Sequence, residues 1–143
     1  MLNLNNRYDT HAYRVAGDFR FGSAMKEMAT IEEGTWVSVD TDGTLKVADG
    51  TGKAFILLTS KRPGRDYVTG AGEDPLASVL MGVAILDTDQ IDTSGVTPGA
   101  ALSIGTGGSA GKLVKQSGSA AVVAYALSAP DASTGLTRIY ILP

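Results

Sequence analysis

A glycine-rich stretch comes nearest to a known binding motif in this sequence. Residues 105–110, Gly-Thr-Gly-Gly-Ser-Ala, follow an apolar segment and match the G-x-G-x-x-A fingerprint of dinucleotide sites. That fingerprint must open a helix, because the helix N-terminus holds the pyrophosphate. Residues 111–118 read Gly-Lys-Leu-Val-Lys-Gln-Ser-Gly, which is typical of a short strand, and Leu113 replaces the metal-binding Ser or Thr of a P-loop. The stretch therefore predicts a flexible hairpin loop and no bound cofactor.

Acidic residues recur at short spacing in two places, Asp40 and Asp42 in one and Asp87, Asp89 and Asp92 in the other. Neither group has the ligand spacing of an EF-hand calcium loop or its terminal Glu. Aspartate is common in turns because its side chain bonds the backbone two residues on. We therefore expect turn aspartates and no metal site.

Residues suited to nucleophilic or acid–base catalysis are scarce. The chain has no Cys, and its one His, His11, lies in a polar N-terminal segment. A Ser-His-Asp arrangement would have to take its base from that segment. Glycosidase chemistry needs two carboxylates held together in a cleft, and nothing in the sequence pairs any two. The sequence predicts a protein that is not an enzyme and has no catalytic residues.

The elements around these residues have the pattern of short strands. Gly is 18 of 143 residues, well above the usual ~7%, which favours many turns. Residues 36–40 alternate apolar and polar, Asp42-Gly43 marks a tight turn, and the apolar run 54–59 predicts a strand buried on both faces. The same order of strand, Gly turn and strand recurs later, so residues 34–60 and 99–128 form an internal pseudo-repeat.

Two further apolar segments, 79–86 and 136–142, each predict one strand. With turn signals between them, about eight short strands favour an all-β fold, a compact β-barrel or β-sandwich. Residues 1–25 differ in composition from the rest of the chain, since they are polar and carry aromatic residues between arginines. They contain one short strand candidate at 15–21. We divide the chain into an extended N-terminal arm (1–25) and a single β domain (26–143).

Two segments are candidate contact surfaces for a partner protein. The arm interleaves aromatic and Arg side chains, which are enriched at interfaces. The long loop 60–75 places three basic residues before two acidic ones, and such long loops in compact domains often have a function. A disordered terminus and a solvated surface loop are the simpler alternatives. The candidate contact residues are Arg7, Tyr8, Arg14, Phe19 and Arg20 in the arm, and Lys61, Arg62, Arg65 and Tyr67 in the loop.

Charge and hydropathy bear on the class of partner. The formal net charge is −3, whereas a nonspecific duplex-binding protein has a basic excess. No apolar run approaches the ~18 residues of a membrane span. The first residues have no apolar core of a secretory signal. We expect a protein that is soluble as made, with no nucleic-acid partner and no membrane partner.

The pattern as a whole resembles a known family. The features are the Gly34 strand with its Gly turn and Leu-Lys return, the short segment 82–86, the Pro98-Gly99 strand, the Ala-Val-Val-Ala-Tyr-Ala-Leu strand at 121–127 and the terminal Thr-Arg-Ile-Tyr-Ile-Leu. Over residues 25–143 this is similar to the decoration, or cement, proteins of tailed-bacteriophage capsids.

The resemblance implies a mostly β virion protein that binds the outer surface of the expanded head and stabilises it. It implies the major capsid protein as partner, self-association as a trimer or dimer on the capsid, and no catalytic residues. A phage tail or spike module is one alternative. A carbohydrate-binding β module is another, in which Trp36 and the tyrosines would stack on sugars, although Trp36 on an alternating strand is better explained as a core residue.

Overall fold

The described part of the chain folds into short β-strands joined by turns and loops. Its structure, a computed structural model, describes residues 2–4, 14–20, 31–62 and 76–143. These residues contain a 3₁₀ turn at Gly107–Ser109 and eleven strands. The strands are β1 (Leu2–Leu4), β2 (Arg14–Arg20), β3 (Trp36–Val39), β4 (Leu45–Val47), β5 (Ala54–Arg62), β6 (Leu76–Met81), β7 (Ala84–Thr88), β8 (Ala101–Ile104), β9 (Leu113–Lys115), β10 (Ala124–Ala126) and β11 (Thr137–Ile141).

The strands form two antiparallel sheets. Sheet A has six strands in the order β1-β7-β11-β10-β8-β9, and sheet B has five in the order β2-β6-β5-β3-β4. Every pair of neighbouring strands is antiparallel. The prediction of an all-β fold is confirmed. About eight strands were expected, and the described residues contain eleven, several of only three residues.

The main hydrophobic core lies between the two sheets. Sheet B contributes Trp36, Ile56 and Leu80. Sheet A contributes alternate residues from each of its inner strands, among them Leu86, Leu102, Leu113, Ala124 and Ile139. Successive residues of a strand point to opposite faces of its sheet. Because the core residues of both sheets belong to one cluster, one face of each sheet packs against one face of the other. The molecule is a β-sandwich.

The two sheets repeat one five-strand arrangement. In sheet B the strands β2 to β6 lie in the order β2-β6-β5-β3-β4, and in sheet A the strands β7 to β11 lie in the order β7-β11-β10-β8-β9. In each group of five, the strand that comes first in the chain (β2 or β7) lies at one end of the order. The strand that comes third (β4 or β9) lies at the other end. The equivalence therefore extends beyond the segments 34–60 and 99–128 to five strands of each half, and β1 is added to sheet A beside β7.

The backbone of Gly111 joins the two halves. The N–H of Trp36 donates to the carbonyl of Gly111 at 2.8 Å, and the N–H of Gly111 donates to the carbonyl of Ala48 at 2.8 Å. Gly111 thus lies between β3 and the end of β4 and takes part in their hydrogen-bond ladder. A Cβ at this position would come within 2.8 Å of Val47 and 2.9 Å of Thr35. Only glycine fits this joint without displacing its neighbours.

The predicted single strand at 79–86 is wrong. The extended strand is interrupted at Gly82, whose φ is +99°. The residues before and after it belong to different sheets, as β6 and β7. Positive φ is readily adopted only by glycine, so this residue supplies the turn. The apolar run is continuous because both parts contribute to the same core, Leu80 from sheet B and Leu86 from sheet A.

Two strands come from the segment predicted as an arm. Leu2–Leu4 pairs with β7 in sheet A, and Arg14–Arg20 pairs with β6 in sheet B. The second of these matches the strand expected near residues 15–21. The N-terminal segment thus supplies an edge strand to each sheet. The predicted boundary between residues 25 and 26 lies outside the described residues.

Sheet B is apolar on its outer face as well. Val37, Leu45, Leu57 and Val79 form a second cluster with Ile31, and these four strand residues have no exposed surface. Their neighbours Trp36, Ile56 and Leu80 point into the main core. The expectation that the β5 segment is buried on both faces is therefore confirmed at Ile56 and Leu57.

Candidate functional site

The glycine-rich stretch that resembled a nucleotide motif connects two strands. Gly107–Ser109 forms a single 3₁₀ turn, and β9 begins at Leu113. Gly105 and Ala110 form a bridge across the base of this loop. The stretch is followed by a strand and not by the helix whose N-terminus would hold a phosphate. Its geometry is that of a strand connection, in line with the hairpin predicted there.

The acidic residues of the first half are held in turns. The hydroxyl of Thr44 donates to Asp42 at 2.6 Å and its N–H donates at 2.9 Å, and these bonds lower the pKa of Asp42 below its ordinary value of 3.8. Thr51 donates in the same way to Asp49. In the described part of the chain, no cluster of three or more His, Cys, Asp or Glu residues is placed to hold a metal ion.

Trp36 is a core residue, as its place on an alternating strand predicted. Its side chain is 1% exposed, and its indole N–H has no hydrogen-bond partner among the described residues. An apolar cavity of about 390 Å³ adjoins it between the start of β5 and residues 121–123 and 141–143. An indole this deeply buried offers no face on which a sugar ring can stack, which removes Trp36 from the carbohydrate-binding alternative.

The register of sheet B brings together residues from both predicted contact segments. Arg20 of β2 and Arg62 of β5 are both paired with Leu76 of β6, so the two arginines occupy equivalent positions on either side of one strand. Neighbouring strands lie ~4.8 Å apart, which puts the two backbones roughly 10 Å apart. Lys61 precedes Arg62 at the end of β5. The backbone register therefore places Arg20, Lys61 and Arg62 at the same end of the sheet.

The other predicted contact residues are less closely placed. Phe19 pairs with Ala77, next to the Arg20 position, whereas Arg14 pairs with Met81 at the opposite end of β2. Arg7, Tyr8, Arg65 and Tyr67 lie outside the described residues. Sheet B thus groups Phe19, Arg20, Lys61 and Arg62 and separates Arg14 from them. We name the end of sheet B that carries Arg20, Lys61 and Arg62 the basic end.

A second candidate surface includes two of the tyrosines named in the carbohydrate-binding alternative, but the sequence did not predict that they form one group. On the outer face of sheet A, Ile85, Tyr140, Tyr125 and Ala101 stand opposite one another on four consecutive strands. Tyr125 is 39% exposed, and the other three are half-buried. The signal was the alternation in Ala124-Tyr-Ala126 and Thr137-Arg-Ile-Tyr-Ile141, which puts the buried residues on one face and the tyrosines on the other. We name these four residues the tyrosine row.

An ion pair and an open depression adjoin the tyrosine row. Arg138 and Asp87 are directly opposite in β11 and β7, and the guanidinium donates to both carboxylate oxygens at 2.9 and 3.2 Å. The depression, of about 580 Å³, lies between this pair and the loop from Ser128 to Leu136. Its polar lining residues are Asp87, Ser128, Asp131, Thr134 and Arg138.

The loop beside this depression is tightly organised by Asp131. Its carboxylate accepts hydrogen bonds from the hydroxyl and the N–H of Ser133 and from the N–H and the hydroxyl of Thr134, at 2.7 to 2.9 Å. These bonds, that from the Ser133 hydroxyl first, hold the pKa of Asp131 well below its ordinary value of 3.8. The Ser128 hydroxyl oxygen accepts the N–H of Arg138 at 3.0 Å, which ties the loop to β11.

Comparisons with protein-family models, with curated proteins and with solved structures find no match to this chain. Within the described ranges no helix has the length and apolar character needed to cross a membrane.

Proposed function

We propose that this chain is a structural protein of a tailed-bacteriophage virion, which binds the outer surface of the capsid and stabilises the expanded head. It acts by occupying a surface and not as an enzyme. Its partner is the major capsid protein, and copies associate as trimers or dimers on the shell. The sequence pattern of the decoration proteins is the starting point for this proposal, and the all-β sandwich is consistent with it.

The observation that carries the proposal is the register at the basic end. Arg20 and Arg62 come from segments far apart in the chain, and both stand beside Leu76. A net charge of −3 for the whole chain means that this cationic group belongs to an otherwise acidic molecule. Charge that is concentrated on one end orients a protein on a complementary surface and fixes its register there.

A many-copy shell makes a modest contact sufficient. Once one subunit of a dimer or trimer has bound the shell, the binding of the next subunit is intramolecular. The affinity of the whole oligomer for the shell therefore exceeds that of a single contact. A two-sheet body with a continuous core holds the contact residues in a fixed arrangement, which limits the entropy lost on binding. Both features are useful to a protein that has to hold neighbouring capsid subunits together.

The test is co-sedimentation of the purified protein with cognate phage heads from which it has been stripped, followed by cryo-electron microscopy of the pellet. We expect ordered density on the outer surface of the shell. The double variant Arg20→Glu, Arg62→Glu should weaken binding at least tenfold, which corresponds to about 1.4 kcal/mol. Binding of the wild type should fall as salt is raised, since exposed charges are screened.

The matched control reverses two charges elsewhere. Lys112 and Lys115 are exposed and lie beside and on β9, in the other sheet. The variant Lys112→Glu, Lys115→Glu changes the net charge by the same amount and should bind heads like the wild type. Equal loss in both variants would mean that net charge alone matters and would contradict the role of the basic end. Failure of the wild type to bind heads, with formation of rings in solution, would replace the proposal with a tail component.

A further inference from the structure

We propose that the outer face of sheet A is a binding site for a neutral carbohydrate, with the tyrosine row as its platform and the adjoining depression as its polar wall. This function goes beyond capsid binding and uses the opposite sheet. The ligand class is an uncharged oligosaccharide of several pyranose rings. The argument rests on the geometry of the row, the composition of the depression, the charge of the face and its area.

The tyrosine row places two aromatic side chains next to each other on the outer face of sheet A. Tyr140 and Tyr125 are directly opposite on β11 and β10, and residues so paired on one face have Cβ atoms roughly 5 Å apart. Tyr125 is flanked on its other side by Ala101, whose small side chain leaves the ring accessible. Pyranose rings have apolar C–H faces that pack on aromatic rings. Two rings side by side match successive sugars of a chain better than a single apolar side chain does.

The depression provides the groups that sugar hydroxyls need. Its lining includes the hydroxyl residues Ser128 and Thr134 and the charged residues Asp87, Asp131 and Arg138. Asp131 is held by four hydrogen bonds from its own loop, so the wall is ordered before a ligand arrives. An ordered polar wall beside an aromatic platform is the usual composition of a small-molecule site, in which a few polar groups fix orientation.

The charge of the face favours an uncharged ligand. Asp87 and Arg138 form a two-point ion pair, and the further charge of the lining, the Asp131 carboxylate, already accepts four hydrogen bonds from its own loop. An anionic ligand would meet both carboxylates, and a cationic one would compete with Arg138 for Asp87. Hydroxyl groups, in contrast, can donate to the Asp87 carboxylate without breaking the pair.

The area of the face argues against a stable protein partner. Tyr125 exposes 39% of its surface, which for an aromatic side chain of ~150–250 Å² is roughly 60–100 Å². Leu127 follows β10 and is 46% exposed, while the other members of the row are half-buried. A stable interface takes roughly 800 Å² from each partner and needs an apolar centre of large anchors. The exposed apolar area here is sufficient for a few sugar rings and well below that of a dimer interface.

The experiment is a ¹H–¹⁵N NMR titration of the full chain with three neutral hexasaccharides, of β-1,4-glucose, α-1,4-glucose and β-1,4-mannose, each to 10 mM. A charged probe, hexagalacturonate, is titrated in parallel. We expect at least one neutral hexasaccharide to shift resonances of β10, β11 and the loop 128–136. Tyr125→Ala should raise its Kd at least tenfold, and Tyr125→Phe should change it less than threefold because the ring is kept.

Val39→Ala is the matched control, since Val39 is 41% exposed on a strand of the other sheet. It should leave the Kd unchanged. The proposal is overturned if no neutral hexasaccharide shifts these resonances, if Tyr125→Ala binds as the wild type does, or if hexagalacturonate alone binds. It is also overturned, in favour of a second copy of this chain, if the same resonances move with protein concentration and not with sugar.

Discussion

The two halves of the molecule have the same strand order and differ in what they do with their outer faces. In the first half, β2 to β6, the residues Val37, Leu45, Leu57 and Val79 that point away from the main core are fully buried. In the second half, β7 to β11, the corresponding face carries the tyrosine row and the Asp87–Arg138 pair. A sheet with one solvated face alternates polar and apolar residues, and a sheet buried on both faces does not.

This difference shows that topology and surface are specified by different residues. The order of strands is common to both halves, and both halves contribute inner-face residues to the main core. The outer-face residues differ in kind between the two halves. The predictions below compare one half with the other.

The largest effect should come from shortening an outer-face residue of sheet B. Leu57→Ala removes a fully buried side chain and should lower the free energy of unfolding by about 2–5 kcal/mol, because it leaves a cavity in packed surroundings. Tyr125→Ala, on the outer face of sheet A, should cost much less, since exposed substitutions usually change stability by about 0.5 kcal/mol. Urea unfolding followed by Trp36 fluorescence measures both.

Equal costs for these two variants would contradict the comparison of the two faces. Lys53→Ala serves as a control, because Lys53 is exposed just before β5 and its shortening should leave the midpoint unchanged. A large loss in that variant would indicate that β5 responds to any change near it.

A second comparison concerns two glycines at equivalent positions, each two residues before the second strand of its hairpin. Gly43 and Gly111 have φ values of +80° and +77°, so alanine pays the same backbone strain of ~1 kcal/mol at either position. Only at Gly111 does the new Cβ meet neighbours, Val47 and Thr35, whereas nothing lies within 4 Å at Gly43. Gly111→Ala should therefore cost about 2–4 kcal/mol, since overpacking adds 1–3 kcal/mol.

The difference between the two glycine variants isolates the joint between the halves. Thermal or urea unfolding of Gly43→Ala gives the strain alone, and the excess in Gly111→Ala gives the packing at the joint. If the two variants unfold at the same denaturant concentration, the neighbours of Gly111 accommodate the added Cβ, and the close approach at this joint does not restrict the residue to glycine.

The fold class was predictable because its signals are local. The strand pattern at Trp36–Val39, the Asp42-Gly43 turn and the apolar run of β5 each depend on neighbours in the chain, and all three elements formed, although the first three residues of Trp36–Val39 are all buried where alternation predicts one buried face. The break at Gly82 was not predictable from the same signals. Its flanks are both apolar, and only the assignment of β6 and β7 to different sheets separates them.

The candidate sites depended more on the three-dimensional arrangement. The sequence indicated Arg20 and Arg62 singly, and their common neighbour Leu76 is set by register, which is a long-range property. The tyrosine row was present as alternation in β10 and β11, but its continuity requires four strands in one order. The sequence placed Gly111 in a flexible loop. Its hydrogen bond with Trp36 joins two halves of the molecule that are far apart in the chain, so no local pattern indicated it.

A smaller effect should come from the ion pairs of the two halves. Arg138 and Asp87 are partly buried and joined at two points, at 2.9 and 3.2 Å. Lys46 approaches Asp49 at 3.7 Å with both side chains well exposed. Double-mutant cycles with Arg138→Gln and Asp87→Asn should give a coupling energy of ~1 kcal/mol, whereas the same cycle at Lys46 and Asp49 should give about 0–0.5 kcal/mol because solvent screens it.

In these cycles the coupling at Arg138–Asp87 should persist at 0.5 M salt, since a two-point bond restricts geometry as well as charge. A coupling that vanishes in salt would show that the pair acts only through long-range charge. That result would also weaken the argument that the pair excludes charged ligands from the face.

The smallest effect, and the one that depends most on pH, concerns Asp131 in the β10–β11 loop and Asp42 in the β3–β4 turn. Four hydrogen bonds, from the Ser133 hydroxyl first, hold the pKa of Asp131 well below its ordinary 3.8. Hydrogen bonds from Thr44, that from its hydroxyl first, lower the pKa of Asp42 below the same ordinary value. A carboxylate with a depressed pKa stabilises the folded state above the unfolded-state pKa, and this stability is lost as the pH falls through the folded-state value.

Asp131→Asn should therefore lower stability at pH 7, and its deficit relative to the wild type should shrink below pH 4, where the wild-type carboxylate takes up a proton on unfolding. Asp42→Asn should follow the same course with a smaller deficit, because Thr44 donates two hydrogen bonds to that carboxylate, against four at Asp131. Urea midpoints measured from pH 7 to pH 2 give both curves. A deficit for Asp131→Asn that stays constant over this range would mean that the loop depends on the shape of the side chain and not on its charge, and the polar wall beside the tyrosine row would then keep its order in acid.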